Sequence, residues 1–167
     1  MKNVRKMVLA SLFASLCAVC SWIALPIPPI YCTLQTLAVL LTLGTLGGRW
    51  GSASIGLYLL LGIVGLPVFA GFRGGIHALL DPTGGFLWGF LLGGLVYLLL
   101  EALGKLPAML AAMMVCYLSG CIWFSYYTGT NGLGSAFLVC VLPYLIPDGI
   151  KLWLAYTISN RLARHVK

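Results

Sequence analysis

A chain in which only 8% of residues are charged and 61% are hydrophobic cannot cover a water-facing surface. A soluble domain carries roughly 25% charged residues. The 167 residues instead divide into six apolar runs: 7–25, 33–46, 52–66, 83–103, 106–126 and 136–163. Prolines, glycines or charges bound them, among them Pro26, Gly47, Gly48, Arg49 and Pro67. Backbone polar groups in lipid must be satisfied within the segment, which leaves the helix as the solution for such runs. The expected fold is therefore all-α: an integral membrane bundle of six transmembrane helices in a single domain over residues 1–167. The 21 glycines agree, since glycine is frequent in membrane helices and allows close packing.

The second and third runs are short for a ~30 Å hydrocarbon core, which needs ~20 residues. They either span with little tilt in a thinned bilayer or form a re-entrant hairpin, leaving four spanning helices. Both options put the two termini on one side. With the N-terminus inside, Lys2, Arg5, Lys6, Arg49, Lys105, Arg161, Arg164 and Lys167 all fall on the cytoplasmic side, and only Arg73 and Lys151 do not. That distribution obeys the positive-inside rule. The first run also resembles a signal peptide, but no small-x-small cleavage site ends it, and Leu16 and Val19 do not suit a lipoprotein signal. It is read as the first membrane helix.

The net charge of +7 does not indicate nucleic acid, because the basic residues mark the ends of apolar runs instead of forming a patch. The six cysteines lie mostly within those runs and read as small hydrophobes; Cys17 and Cys20 form a CxxC without a second ligand pair. No phosphate-binding GxxxxGK[ST] or HExxH motif occurs, so ATP hydrolysis, a metal site, a resident cofactor and enzymatic activity are not expected.

Sorting the charges isolates the useful ones. Glu101 lies near Lys105 as an interfacial charge, while Arg73, Asp81, Asp148 and Lys151 belong to the loop after the third run or to the last run. Asp148 and Lys151, three residues apart, share a helix face. Counting back from Arg161 puts Asp148 ~20 Å from the cytoplasmic boundary. Ionisable groups at that depth are costly and usually pair or face a cavity. They read as a ligand site or as a structural ion pair. Pro147 removes a backbone donor just before Asp148 and loosens the helix there, a feature of cavity-lining backbone and of ordinary kinks alike. The loop of residues 68–82 carries Gly71, Gly74, Gly75, Arg73 and His77, and is either a flap over a ligand or a solvated connector. Ala10, Ala14 and Ala18 form a smooth stripe at spacing four, suited to docking a partner subunit or to packing within the chain.

Several blocks resemble one family. Pro26-Ile27-Pro28-Pro29 and Thr33-Leu34-Gln35-Thr36-Leu37, the run from Tyr58 to Phe69, Ala70-Gly71 with Gly74-Gly75, Pro82-Thr83-Gly84-Gly85-Phe86 with Gly89-Phe90, and Pro147-Asp148-Gly149-Ile150-Lys151 together are similar to the BioY proteins. These are the biotin-specific S components of energy-coupling factor (ECF) transporters. The resemblance covers nearly the whole chain. It implies biotin captured near the outer face of a bacterial plasma membrane, and docking onto a T component with two ATP-binding-cassette subunits. It implies that Ala10, Ala14 and Ala18 mediate that docking. It also implies that Asp148 and Lys151 bind biotin, with Gln35, Tyr58, Arg73, Gly84, Gly85 and Phe86 as further contacts. The chain departs from the family at Phe86, where tyrosine is usual, at Phe72-Arg73, which interrupts a run of glycines, and at Asp81, where a small residue is typical. Two other readings keep a place: an S component for another vitamin such as riboflavin or thiamine, and a small intramembrane enzyme using Asp148, Lys151 and His77. A purely structural scaffold would bind no small ligand.

Overall fold

A computed structural model describes residues 2–27, 30–129 and 132–166. Pro28, Pro29 and Lys167, used above, lie outside the described residues. Helix α1 (Lys2–Trp22) leads into two short antiparallel strands, β1 (Ala24–Ile27) and β2 (Ile30–Thr33), which pair in the register Leu25 to Cys32. Then follow α2 (Gln35–Ile63), the short α3 (His77–Leu80), α4 (Gly84–Leu100), α5 (Lys105–Thr128), α6 (Leu133–Cys140) and α7 (Leu145–Val166). Among the described residues, four stretches are long and apolar enough to cross a membrane: Asn3–Trp22, Gly84–Leu103, Lys105–Thr128 and Leu133–Ala163.

The second and third runs form a helical hairpin. Within α2 the backbone turns at Gly47, at φ 79 and ψ 172, a conformation that essentially only glycine adopts. The two arms, residues 35–46 and 48–63, fold back on each other. Gln35 Nε2 donates to the Tyr58 hydroxyl at 2.8 Å. A Cβ placed on Gly51 would lie 3.0 Å from Leu43 Cα. Both pairs are nearly symmetric about Gly47, which only a hairpin allows. A Glu101 carboxylate oxygen accepts from the Gly48 N–H at 2.7 Å, so Glu101 caps the second arm instead of standing alone at the interface.

One end of the bundle gathers the basic turns. Ser54, just past the apex, donates to the Ala10 carbonyl at 2.7 Å, and Lys105 reaches Ser159 at 3.5 Å. The start of α1, the hairpin apex, the α4–α5 turn and the last turns of α7 therefore lie together. At the opposite end Ser21 donates to the Val68 carbonyl at 2.6 Å, and Trp123 Nε1 to the Asp81 carbonyl at 2.9 Å.

Two helix contacts run along stripes of small residues. The alanine stripe is not on an outer face: Ala10, Ala14 and Ala18 are 7%, 1% and 8% exposed. They pack inside the chain, where Cys17 meets Thr42 and Ala10 meets Ser54, both on α2. The outer face of α1 carries Ser11, Leu12, Ser15 and Val19 instead. A second stripe, Gly85, Gly89 and Gly93, lets α4 and α5 approach closely. A Cβ there would lie 2.8 Å from the Ser119 carbonyl, 2.9 Å from Cys116 Cα and 2.7 Å from the Ala112 carbonyl, respectively.

Candidate ligand-binding site

The last apolar run is broken. Helix α6 ends at Cys140, a 3-10 turn spans Leu142–Tyr144, and α7 starts at Leu145. Pro147 therefore sits in the first turn of α7, where its missing N–H removes no intrahelical bond. Asp148 is thereby presented at a helix N-terminus, where the helix dipole favours negative charge.

Asp148 and Lys151 are 5% and 7% exposed and form an ion pair at 2.6 Å between Oδ1 and Nζ. The second carboxylate oxygen accepts from the Tyr117 hydroxyl of α5 at 2.8 Å. Lys151 Nζ also lies 3.6 Å from the Cys32 sulfur of β2. A buried carboxylate that keeps lone pairs beside an ammonium can receive N–H donors and offer a donor to a carbonyl, so the pair suits a ligand carrying both.

These groups face a cavity of about 90 Å³ at the end of the bundle opposite the basic turns. Of the residues expected at a site, Asp148, Lys151, Gln35, Arg73 and Phe86 line it together. Tyr58, Gly84 and Gly85 do not line it. Tyr58 is fully buried behind Gln35, donating to the Val68 carbonyl at 3.0 Å, so it supports the wall. Gly84 packs on the Leu79 carbonyl and Gly85 on α5. His77 is exposed and outside the lining, so it does not join Asp148 and Lys151 as a third acid–base group. No group of three or more His, Cys, Asp or Glu side chains able to hold a metal ion occurs among the described residues.

The loop of residues 68–82 is pinned down. Phe69 and Arg73 form a bridge, the Gly75 N–H donates to the Gly62 carbonyl at 2.7 Å, and Trp22 stacks on Phe72 at 5.2 Å. Phe69, Ala70 and Arg73 from this loop wall the cavity, as do Cys32 and Thr33 from the β-hairpin.

Tyr117, Thr36, Phe69 and Phe90 also line the cavity and are not among the ligand contacts expected from sequence. Tyr117 lies in an apolar helix whose polar hydroxyl gives no periodic signal. The β-branched and aromatic Ile30-Tyr31-Cys32-Thr33 does carry a strand signal, and Cys32 and Thr33 of that strand wall the cavity.

The whole chain, residues 1–167, matches the BioY family model. The chain belongs to the BioY family. Relatives in that family include the "Biotin transporter BioY" of Thermotoga maritima, 36% identical over 96% of this chain and 97% of its own length. The "Probable biotin transporter BioY" of Pyrococcus horikoshii is 37% identical over the same shares. The fold is similar to the crystal structure of an S component for biotin from an ECF-type ABC transporter. That match has a TM-score of 0.89 and 26% identity, covering 97% of this chain and 92% of that one. The BioY relatives are named as transporters, none as an enzyme, and the reading of Asp148, Lys151 and His77 as catalytic groups is set aside. With four stretches long and apolar enough to cross a membrane among the described residues, this BioY member is a multi-pass membrane protein.

Proposed function

We propose that this protein is the biotin-capturing membrane subunit of an ECF-type transporter. The observation that carries the reading is the buried Asp148–Lys151 pair, held by Tyr117 and facing a cavity, in a chain of the BioY family. Biotin's ureido N–H groups donate to Asp148, and Lys151 donates to the ureido oxygen. Charge-assisted bonds of this kind are stronger than neutral ones. The ring system packs against Phe86 and Phe90, and the valerate carboxylate reaches Arg73 at the cavity mouth.

The hairpin arms of α2 and the four long stretches together make six membrane segments. With the basic end inside by the positive-inside rule, both termini are cytoplasmic, in a bacterial plasma membrane, and the cavity opens outside. The chain carries no phosphate-binding loop, so ATP hydrolysis falls to partners: a T component and two ATP-binding-cassette subunits. Biotin is cargo, and no resident cofactor takes part. Riboflavin or thiamine capture is the second reading; the acid–lysine pair, matched to a ureido group, favours biotin over them.

The test is uptake of labelled biotin by biotin-requiring cells that lack their own transporter. Cells expressing this chain with its coupling partners should accumulate biotin, and Asp148→Asn should abolish that accumulation. Uptake equal to that of empty-vector cells, with the chain present in the membrane, would overturn the proposal.

A further inference from the structure

The Arg73 that meets the ligand's carboxylate already holds an ion pair at the cavity mouth. Arg73 Nη1 and Asp81 Oδ2 lie 2.6 Å apart, and their side chains are 40% and 36% exposed. Arg73 also donates through Nε to the Ala70 carbonyl at 3.2 Å and through Nη2 to the Thr83 hydroxyl at 3.5 Å. Arg73 lines the cavity, whereas Asp81 does not. The loop is forced to present Arg73: Phe72, just before it, is the one non-glycine among the described residues with positive φ, at 58. Such strain persists only where the surroundings hold it, here the Trp22 stack and the Phe69–Arg73 bridge.

The charges around the cavity then balance: Asp148 with Lys151 at its floor, Asp81 with Arg73 at its mouth. A ligand bearing a carboxylate adds one negative charge to a neutral set. Its carboxylate, when it reaches Arg73, must share the guanidinium with Asp81 or take it over, and the displaced Asp81 carboxylate can turn to water. We infer that Asp81 is an internal competitor for the ligand's carboxylate, so that the Arg73–Asp81 pair sets how strongly the site favours an anionic ligand over a neutral one. Partly exposed ion pairs are weak, so exchanging one carboxylate for another needs little driving force.

The inference rests on the biotin reading, and one experiment separates the two. Calorimetry on the purified chain compares biotin with biotinamide, in which a neutral amide replaces the carboxylate. The proteins are wild type, Asp81→Asn, Asp81→Ser, Arg73→Gln and the Arg73→Gln/Asp81→Asn double variant. Both Asp81 variants should tighten biotin by about twofold to fivefold, the range such pairs supply, and leave biotinamide unchanged. In the Arg73→Gln background the gain should shrink towards none. Biotin affinity that is unchanged or weakened in both Asp81 variants overturns the inference, as does an equal gain without Arg73, which would mean simple long-range charge. Wild type that binds neither ligand overturns the biotin reading itself, and the inference with it.

Discussion

The Tyr117 hydroxyl of α5 donates to Asp148 Oδ2 at 2.8 Å, across to the first turn of α7. It fixes the plane of a carboxylate whose other oxygen is held by Lys151. Tyr117→Phe keeps the ring and deletes that bond. It should lower the stability of the ligand-free protein by about 1.5–3 kcal/mol, the range for a hydrogen bond to a charged group, and it should weaken biotin binding. Thermal unfolding in detergent, with and without biotin, measures both.

The ion pair itself predicts strong coupling. Lys151→Met leaves the Asp148 carboxylate buried and unpaired, and breaking such a pair costs about 3–5 kcal/mol. Asp148→Asn added to Lys151→Met removes the stranded charge, so the double variant should be more stable than Lys151→Met alone. Denaturant unfolding of the two single variants and the double variant closes the cycle. Additive losses would mean that the two groups do not act as a pair.

The alanine stripe predicts a folding defect. Leucine at Ala14, which is 1% exposed, must displace the facing arm of α2. Overpacking of this kind costs about 1–3 kcal/mol. Ala14→Leu should therefore lose both folded yield and biotin binding, while Ser15→Leu on the exposed face keeps both. Size-exclusion profiles and binding of the two variants test this. The reverse pattern, intact binding in Ala14→Leu, would return the stripe to a partner-facing role.

The hairpin depends on Gly47 and on the Glu101 cap. Gly47→Ala forces a side chain into a backbone region that costs about 1–3 kcal/mol. Glu101→Ala removes the acceptor for the Gly48 N–H, at about 1 kcal/mol. Both should lower the unfolding midpoint with the cavity unchanged, so biotin affinity of the folded fraction should hold. Thermal shift with binding measured below the midpoint checks this.

What was legible in the sequence follows from how each signal arises. The turn between the second and third runs was legible because Gly47-Gly48-Arg49 interrupts two short apolar runs, and both options for them, two spans or a re-entrant pair, turn there. The acid–lysine pair stood out because charge is rare in this chain. The alanine stripe was ambiguous by nature, since spacing of four marks a smooth face and says nothing of what covers it. Gly84 and Gly85 were expected at the ligand, but the GxxxGxxxG spacing of Gly85, Gly89 and Gly93 is a packing signal, and helix packing is where the structure uses it. The Asp81–Arg73 pair joins positions eight apart through a folded loop, which no periodicity reveals.

The most direct measurement is calorimetry of biotin binding to the purified protein in detergent, with riboflavin and thiamine as controls and Asp148→Asn as the site variant. The account predicts one-to-one binding of biotin, no binding of either control, and a large loss of affinity in Asp148→Asn with the folded profile intact. A folded wild-type protein that binds no biotin, or an Asp148→Asn variant that binds it unchanged, would contradict it.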